Sequence, residues 1–306
     1  MRVLITGIGG FIGSKLAEYL SSMNYEIIGL DKVLNDKIEP KPTEYIVEDL
    51  INCDASVFNS YKVDYIVHCA GLASVDLHNT SQNTDYLATK KLLEIIENSN
   101  IKKIIFLSSN KVDGEDNYSQ SKYKIESLIK SELSSFNISY TFIRSSIVYG
   151  RGMGSNIYKW LRLIKLGKIP ALPTSESRIL MISNKDLCRC IEKCISNPIT
   201  DNKIYEVSDG IPYNISEIEL TARQVFSRTE KHLVCPRLIL FLTSKLGDLL
   251  VNAGIRLPLN FRIYNMLFNN TVYLSNEFEK DTGFKASTNF CQKFPPSFQR
   301  FKIIPW

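Results

Sequence analysis

The stretch Thr6-Gly7-Ile8-Gly9-Gly10-Phe11-Ile12-Gly13 decides how this chain folds. It follows a short apolar run, Arg2–Thr6, and precedes a segment in which Ile12, Leu16, Leu20 and Met23 keep helical spacing. In such a strand–turn–helix unit Gly7 permits the tight turn. Gly10 lets backbone approach a pyrophosphate at the positive end of the helix, and Gly13 lets helix and strand pack closely. Eighteen residues after Gly13 the next apolar run, Glu26–Asp31, ends in a carboxylate placed to accept hydrogen bonds from a ribose 2′-OH. A free carboxylate there repels a 2′-phosphate, so the pattern predicts NAD(H), and Lys32 beside it keeps NADP(H) as the alternative. The plainer reading, a glycine turn without a ligand, leaves the helix and the acidic residue at these spacings unexplained.

Outward from this unit, apolar runs at Tyr45–Glu48, Tyr65–Cys69, Lys103–Ser108 and Ser139–Arg144 alternate with helical patterns. They are hydrophobic throughout, as strands covered on both faces are, and predict an α/β fold with a doubly wound parallel sheet of Rossmann type. After Gly150 the pattern changes. Asn156–Gly167 reads as an amphipathic helix with Ile157, Trp160, Leu161 and Ile164 inward and Lys159, Arg162 and Lys165 outward. Ile204–Ser208 reads as one more strand, and Ser216 with Glu219 as a capping box that opens a helix. Leu238 to Ile255, broken by Lys245, Gly247 and Asp248, reads as a buried helix too interrupted to span a membrane. The expected organisation is a dinucleotide-binding domain over 1–150 with a return segment at about 176–210. A smaller C-terminal substrate-binding lobe is expected from 151–175 and 211–306.

The 306 residues, 44% hydrophobic and 23% charged, suffice for one large core and an attached lobe. Lys and Arg number 37 against 32 Asp and Glu, a mild and evenly spread excess that suits bound phosphates and argues against a nucleic-acid partner. A strand-like start at Met1–Ile5 predicts no leader, and the seven cysteines are expected as reduced thiols in the cytoplasm. Cys188, Cys190 and Cys194 share a predicted helix but have neither CxxC pairing nor a nearby histidine, so no metal site is expected. With histidines only at 68, 78 and 232, a histidine-based catalytic engine is not expected.

Chemistry enters with Tyr118-Ser119-Gln120-Ser121-Lys122. Four residues apart on a helix, Tyr118 and Lys122 fall on one face. A nearby ammonium, together with a positive nicotinamide ring, favours the phenolate, which then takes a proton from a substrate hydroxyl as hydride leaves the carbon. The plainer reading is an exposed helical pair.

The spacing GxxGxxG followed by Tyr-x-x-x-Lys resembles the short-chain dehydrogenase/reductase superfamily. Thr-Gly-x-x-Gly-Phe-Ile-Gly is similar to its extended branch of nucleotide-sugar epimerases, dehydratases and ketoreductases. The resemblance runs from Met1 to about Ser208 and fades in the tail. It implies cofactor contacts from Gly7, Gly10, Phe11, Ile12, Gly13, Asp31, Ser108, Tyr118 and Lys122. It also implies contacts from Asp49-Leu50, which looks like the adenine-contacting pair. Ala70 and Gly71 join them from the loop His68-Cys69-Ala70-Gly71-Leu72, whose form is close to that of UDP-galactose 4-epimerases. His68 itself reads as a strand-end histidine satisfied by backbone or, alternatively, as a catalytic group. Ser109, by its place before Val112-x-Gly114, resembles the catalytic serine that hydrogen-bonds the sugar, with Ser108 as the alternative. Asn156 and Arg178 are the implied diphosphate contacts. Their plainer readings are a helix cap and a solvated charge.

Departures from the family pattern sharpen the expectation. Asp85 stands before Ala88-Thr89 where the family usually has Asn, and Asp113 where Val-Tyr-Gly has Tyr. Tyr118 follows Ser109 by only nine residues. Dehydratases of the family carry Thr-Asp-Glu where this chain has Ser109-Asn110-Lys111, so dehydration is not expected. In Arg144-Ser145-Ser146-Ile147-Val148-Tyr149-Gly150, similar to Arg-x-x-x-Val-Tyr-Gly, Ile147 replaces the Asn of typical 4-epimerases and is similar to 4-ketoreductases. The resemblance therefore implies an NAD-dependent epimerase acting at C4 of a nucleotide-diphosphate hexose, as a homodimer, with no nucleic acid and no membrane insertion. A 4-ketoreductase of a 4-keto-6-deoxy sugar is the alternative reaction. A hydroxysteroid or flavonoid type of reductase, and a non-catalytic dinucleotide-binding sensor or scaffold, complete the alternatives.

Overall fold

Val3, Leu4 and Ile5 are buried on both faces of their strand, and Ile27 to Leu30 and Ile104 to Phe106 repeat the pattern. Such strands belong to the interior of a sheet with helices on either side. The computed structural model describes residues 1–54, 58, 60–71, 80–97, 99–110, 112, 117–136, 138–150, 152, 156–228, 234–252, 259–269, 272 and 274–290. In chain order the first elements are β1 (Arg2–Thr6), α1 (Phe11–Ser22), β2 (Glu26–Asp31), β3 (Glu44–Val47), β4 (Tyr65–His68), α2 (Thr80–Ile96), β5 (Lys103–Ser109), α3 (Asn117–Leu133) and β6 (Ser139–Ser145). There follow β7 (Ile147–Tyr149), α4 (Asn156–Lys165), β8 (Arg178–Ser183), α5 (Asn184–Ser196), β9 (Lys203–Val207), β10 (Pro212–Asn214), α6 (Ile215–Val225), α7 (Arg237–Asn252), α8 (Phe261–Phe268) and α9 (Glu277–Thr282).

Met1–Val148, Asn184–Val207 and Ser275–Lys285 form one compact unit. Its seven strands lie in the order β3-β2-β1-β4-β5-β6-β9, with every pairing parallel. The strand order reverses between β1 and β4, the point where open α/β sheets leave a crevice beyond the carboxyl ends of their strands. This is the doubly wound Rossmann sheet that the glycine turn predicts. On one side Leu92, Leu93 and Ile96 of α2 and Ile125, Ile129 and Leu133 of α3 join Leu4, Ile66, Ile104 and Phe142 in a single core. Elsewhere in the unit α1 packs with α5, which buries Leu187, Ile191 and the three cysteines 188, 190 and 194.

Two charged groups tie this unit together. Lys103, only 4% exposed, gives its ammonium to Asp201 at 2.6 Å and to Thr200 at 2.6 Å, fastening the start of β5 to the turn before β9. Arg144 of β6 holds Glu126 of α3 by two hydrogen bonds, Nε to Oε1 at 3.1 Å and Nη2 to Oε2 at 2.8 Å. Paired forks of this kind fix direction as well as distance.

The other unit comprises Tyr149–Ser183, Ser208–Leu274 and Ala286–Trp306. In it β8 and β10 pair antiparallel. Helix α4 buries Ile157, Leu161 and Ile164, as its spacing predicts. The expected capping box at Ser216 is not found. Asn214 caps α6, its Oδ1 accepting from the Ser216 N–H at 2.8 Å. Glu219 turns away to accept from the Leu172 N–H at 3.0 Å and from Arg223 at 2.8 Å. The expectation of a buried helix after Leu238 is overturned. Helix α7 packs one side on α8 through Phe241 against Phe261 and Tyr264, while Leu238, Ile239, Leu242, Leu246 and Leu249 stand exposed. Among the described residues no helix is long and apolar enough to cross a membrane. Nor is the charge evenly spread: this unit carries sixteen Lys and Arg against six Asp and Glu, the other unit twenty-one against twenty-six.

The Glu126–Arg144 pair yields a direct test, because Glu126 is 2% exposed. Removing one partner of a buried ion pair leaves the other charge stranded, at a cost of about 3 kcal/mol. Glu126→Ala is expected to lower the urea midpoint of unfolding accordingly, and Glu126→Gln, which keeps one acceptor oxygen, by distinctly less. Equal midpoints for the variants and the parent chain would refute the tie.

Candidate active site

The glycine turn comes first, since everything at the carboxyl end of the sheet is measured from it. Gly7 has φ +71°, and a Cβ there would lie 2.7 Å from the Ala70 nitrogen. A Cβ at Gly13 would run into the Gly7 carbonyl oxygen. Gly10 forms the N-cap of α1 and supplies no side-chain cap, and the first turn of the helix holds no acidic residue. The leading N–H groups of α1 are thus left for an anionic ligand, such as a pyrophosphate, near Phe11, Ile12 and Gly13. Asp31 at the end of β2 accepts from the Gly9 N–H at 2.9 Å, so the acidic residue expected to meet a ribose also holds the turn. Lys32 turns to Asp49, Nζ to Oδ2 at 2.9 Å. Burial acts to raise the Asp49 carboxyl, but the hydrogen bonds from Lys32 and from the Ile51 N–H outweigh it and hold the group below the usual carboxylate range. Leu50 beside it is buried in the core.

Beyond β4 a chain of hydrogen bonds links the loop to α2. The Ala70 N–H reaches Thr6 Oγ1 at 3.4 Å, and Thr6 Oγ1 lies 2.8 Å from His68 Nδ1. His68 Nε2 lies 3.3 Å from Thr89 Oγ1, which donates to the Asp85 carbonyl at 2.8 Å. Because the Thr89 hydrogen goes to Asp85, the consistent assignment has His68 donating from Nε2 and accepting at Nδ1. The sequence reading of His68 as satisfied by backbone is thus corrected: its partners are two threonine hydroxyls. Burial, and then the positive charge of Lys122, push it down to about 3, so the ring is neutral at ordinary pH.

Gly71 adopts φ +135°, and a methyl placed there would lie 3.2 Å from Asp85 Oδ2 and 3.5 Å from Lys122 Nζ. The carboxylate that replaces the family's usual amide thus shares one spot with the lysine of Tyr-x-x-x-Lys. Below them is a cavity of about 20 Å³, room for a single water, bordered by His68, Asp85, Ser108, Lys122 and Glu126 among others. Ser108 Oγ is buried and makes no hydrogen bond among the described residues. Successive strand residues point to opposite faces, so Ser109 is turned away from this cavity. Tyr118 lies in the first turn of α3, one turn before Lys122. The Tyr118 and Asn156 side chains lie outside what is described, as do Leu72, Lys111, Asp113 and Gly114. In the other unit Arg178 opens β8 at the surface, and its Nη1 donates to the Pro212 carbonyl at 3.3 Å.

Sequence reasoning singled out neither Glu126, Thr6 and Thr89 nor the convergence of Asp85 with Lys122. Glu126 follows Lys122 by four residues on α3, a spacing that marks a shared face, but nothing local announces Arg144 as its partner. The three cysteines of α5 are buried thiols, with Cys188 and Cys194 pushed up to about 12, first of all by burial.

Residues 3–208 match the model of the NAD dependent epimerase/dehydratase family. A UDP-glucose 4-epimerase of Vibrio cholerae is 26% identical over 242 residues, 71% of this chain and 73% of that protein. Among solved structures, a UDP-glucuronic acid 4-epimerase of Bacillus cereus in complex with UDP-glucuronic acid and NAD is 16% identical. It superposes with a TM-score of 0.76 over 98% of each chain. A UDP-glucose 4-epimerase of Thermotoga maritima with UDP-glucose gives 0.75 at 15% identity, also over 98% of each. With the family model spanning both the glycine turn and Tyr118-x-x-x-Lys122, this chain belongs to the NAD dependent epimerase/dehydratase family.

Proposed function

We propose that this protein is an NAD-dependent epimerase acting at C4 of a nucleotide-diphosphate hexose and keeping its cofactor through both half-reactions. The observation that carries the reading is the meeting of Lys122, one helical turn beyond Tyr118, with the glycine-walled end of the sheet at Gly71. The residues present fit a dinucleotide: glycines where a Cβ would clash, an uncapped helix start, and the Asp31 carboxylate at the end of β2. Lys32 is spent on Asp49, which favours NAD over NADP.

Bound NAD supplies the hydride acceptor and donor. Tyr118 takes the proton of the sugar hydroxyl and returns it, Lys122 orients the nicotinamide ribose and favours the phenolate, and Ser109 holds the reacting oxygen. Ser108 is too deeply buried to meet a sugar. Asn156 and Arg178 are assigned to the diphosphate. Where dehydratases of the family carry Thr-Asp-Glu this chain has Ser109-Asn110-Lys111, so elimination of water has no acid and base. A cytoplasmic setting, with the cysteines as reduced thiols, belongs to the same reading.

The reaction is tested by incubating the protein with UDP-hexoses and UDP-N-acetylhexosamines, without added cofactor, and reading epimers by NMR. Interconversion is expected, with Tyr118→Phe binding NAD normally but turning over about 10²-fold to 10⁴-fold more slowly. No epimer, together with steady NADH consumption on a 4-keto-6-deoxy sugar, would establish the ketoreductase that Ile147 favours. NAD binding without either activity would leave a sensor or scaffold.

Cofactor choice is tested at Asp31. Asp31→Ala removes the ribose acceptor, the repulsive charge and the Gly9 hydrogen bond, whereas Asp31→Asn keeps an acceptor oxygen. Calorimetric titration should show both variants narrowing the preference for NAD(H) over NADP(H), with the alanine variant losing more affinity. An unchanged preference in both would move the discriminating group elsewhere.

The homodimer belongs to the same reading, through α2 and α3. Leu92, Leu93 and Ile96 do not serve it, since they lie in the core, but Leu87 and Tyr123 are exposed on these helices. Sedimentation at micromolar concentration is expected to show twice the chain mass of 34.9 kDa, and Leu87→Glu with Tyr123→Glu to shift it toward the monomer. A monomer throughout would contradict the assignment.

A further inference from the structure

Helix α7 leaves bare what a soluble protein ordinarily covers. Leu238, Leu242, Leu246 and Leu249 recur at steps of four, four and three, so they form one stripe about 16 Å long. Their exposures are 67%, 57%, 47% and 68%, and Ile239 beside them is 49% exposed. The opposite side of the helix is accounted for: Ser244 is buried and Phe241 packs on Phe261 and Tyr264 of α8. Five large aliphatic side chains on one sixteen-residue helix make a patch of the kind that marks an interaction surface.

The net charge of the unit argues for what covers the stripe. The unit that carries α7 holds ten more basic than acidic residues, sixteen against six, while the remainder of the chain is net acidic. On α7 itself Arg237 and Lys245 are anchored beside the aromatic cluster, Arg237 over the Phe268 ring at 5.1 Å and Lys245 over the Phe261 ring at 3.5 Å. A second copy laid on this face would bring a second unit of the same sign against it. An anionic lipid surface would instead accept the leucines among its acyl chains and the basic groups among its headgroups, the combination that holds amphipathic helices in the plane of a bilayer. At sixteen residues the helix is too short to cross.

We propose that α7 docks this protein reversibly on an anionic membrane, with Leu238, Leu242, Leu246 and Leu249 inserted at the headgroup boundary. The proposal is independent of which sugar is turned over. It is tested by co-sedimentation of the full chain with vesicles of phosphatidylglycerol and phosphatidylcholine, and with vesicles of phosphatidylcholine alone. Binding is expected to the anionic vesicles, about tenfold weaker to the neutral ones, and to fall with added salt. Leu242→Ser with Leu249→Ser, exposed positions whose change leaves the melting temperature in place, should cut binding about tenfold or more. Leu242→Asp with Leu249→Asp should abolish it. Failure of the parent chain to bind, or undiminished binding by both pairs of variants, would overturn the proposal. So would a sedimentation coefficient, measured without lipid, that the same substitutions lower, because a second copy would then be what covers the stripe.

Discussion

The structure depends on an absence of atoms where β1 turns into α1. The Gly7 position is crowded by the Ala70 backbone and the Gly13 position by the Gly7 carbonyl, so neither has room for a methyl group. Gly29 on β2 does the same for Ile8, whose side chain fills the space where a Cβ would stand. Overfilling such a junction costs about 1–3 kcal/mol in forced backbone shifts. Here the shifts would fall on the central strand and both of its neighbours. Because the turn is this tight, the N-terminus of α1 is aimed at the crevice between β1 and β4, and the loop after His68 comes within reach of the same crevice. The position of any dinucleotide follows from that geometry.

The helix that bears Lys122 is set by a different device. Glu126, one turn further along, is gripped by Arg144 of β6. A planar fork of two hydrogen bonds resists rotation about the helix axis in a way that apolar packing by Ile125 and Ile129 does not. Arg144 thereby sets the attitude of the helix that bears Lys122 without touching the lysine. The neutral His68, clamped between Thr6 and Thr89, braces the neighbouring loop by hydrogen bonds alone.

Strands β1, β2 and β5 were legible in the sequence almost to the residue, because doubly covered strands read as unbroken apolar runs. The glycine turn and Asp31 were legible because their spacing is a direct image of local geometry. What escaped depends on contacts far apart in the chain. Nothing near Glu126 points to Arg144, and nothing near Lys32 points to Asp49. The replacement of the usual Asn by Asp85 was visible, but its approach to Lys122 was not. The cap of α6 went to Asn214 rather than Ser216 because a side chain two residues upstream reached the open N–H groups first. Helix α7 was misread for a physical reason: an apolar stripe at helical spacing looks the same whether it faces a core or the outside, and only the fold decides.

The buried thiols carry a consequence of their own. Cys188, Cys190 and Cys194 are each at most 1% exposed on α5, and Cys53 is 2% exposed beneath the sheet's other side chains. Thiol reagents attack the thiolate, and here both burial and protonation withhold it. Alkylation of these four sulfurs can therefore proceed only when α5 or the Cys53 segment opens. Nature has left in the chain a set of internal clocks, whose labelling rates, followed residue by residue by mass spectrometry, would time the breathing of each part of the sheet without any engineered probe.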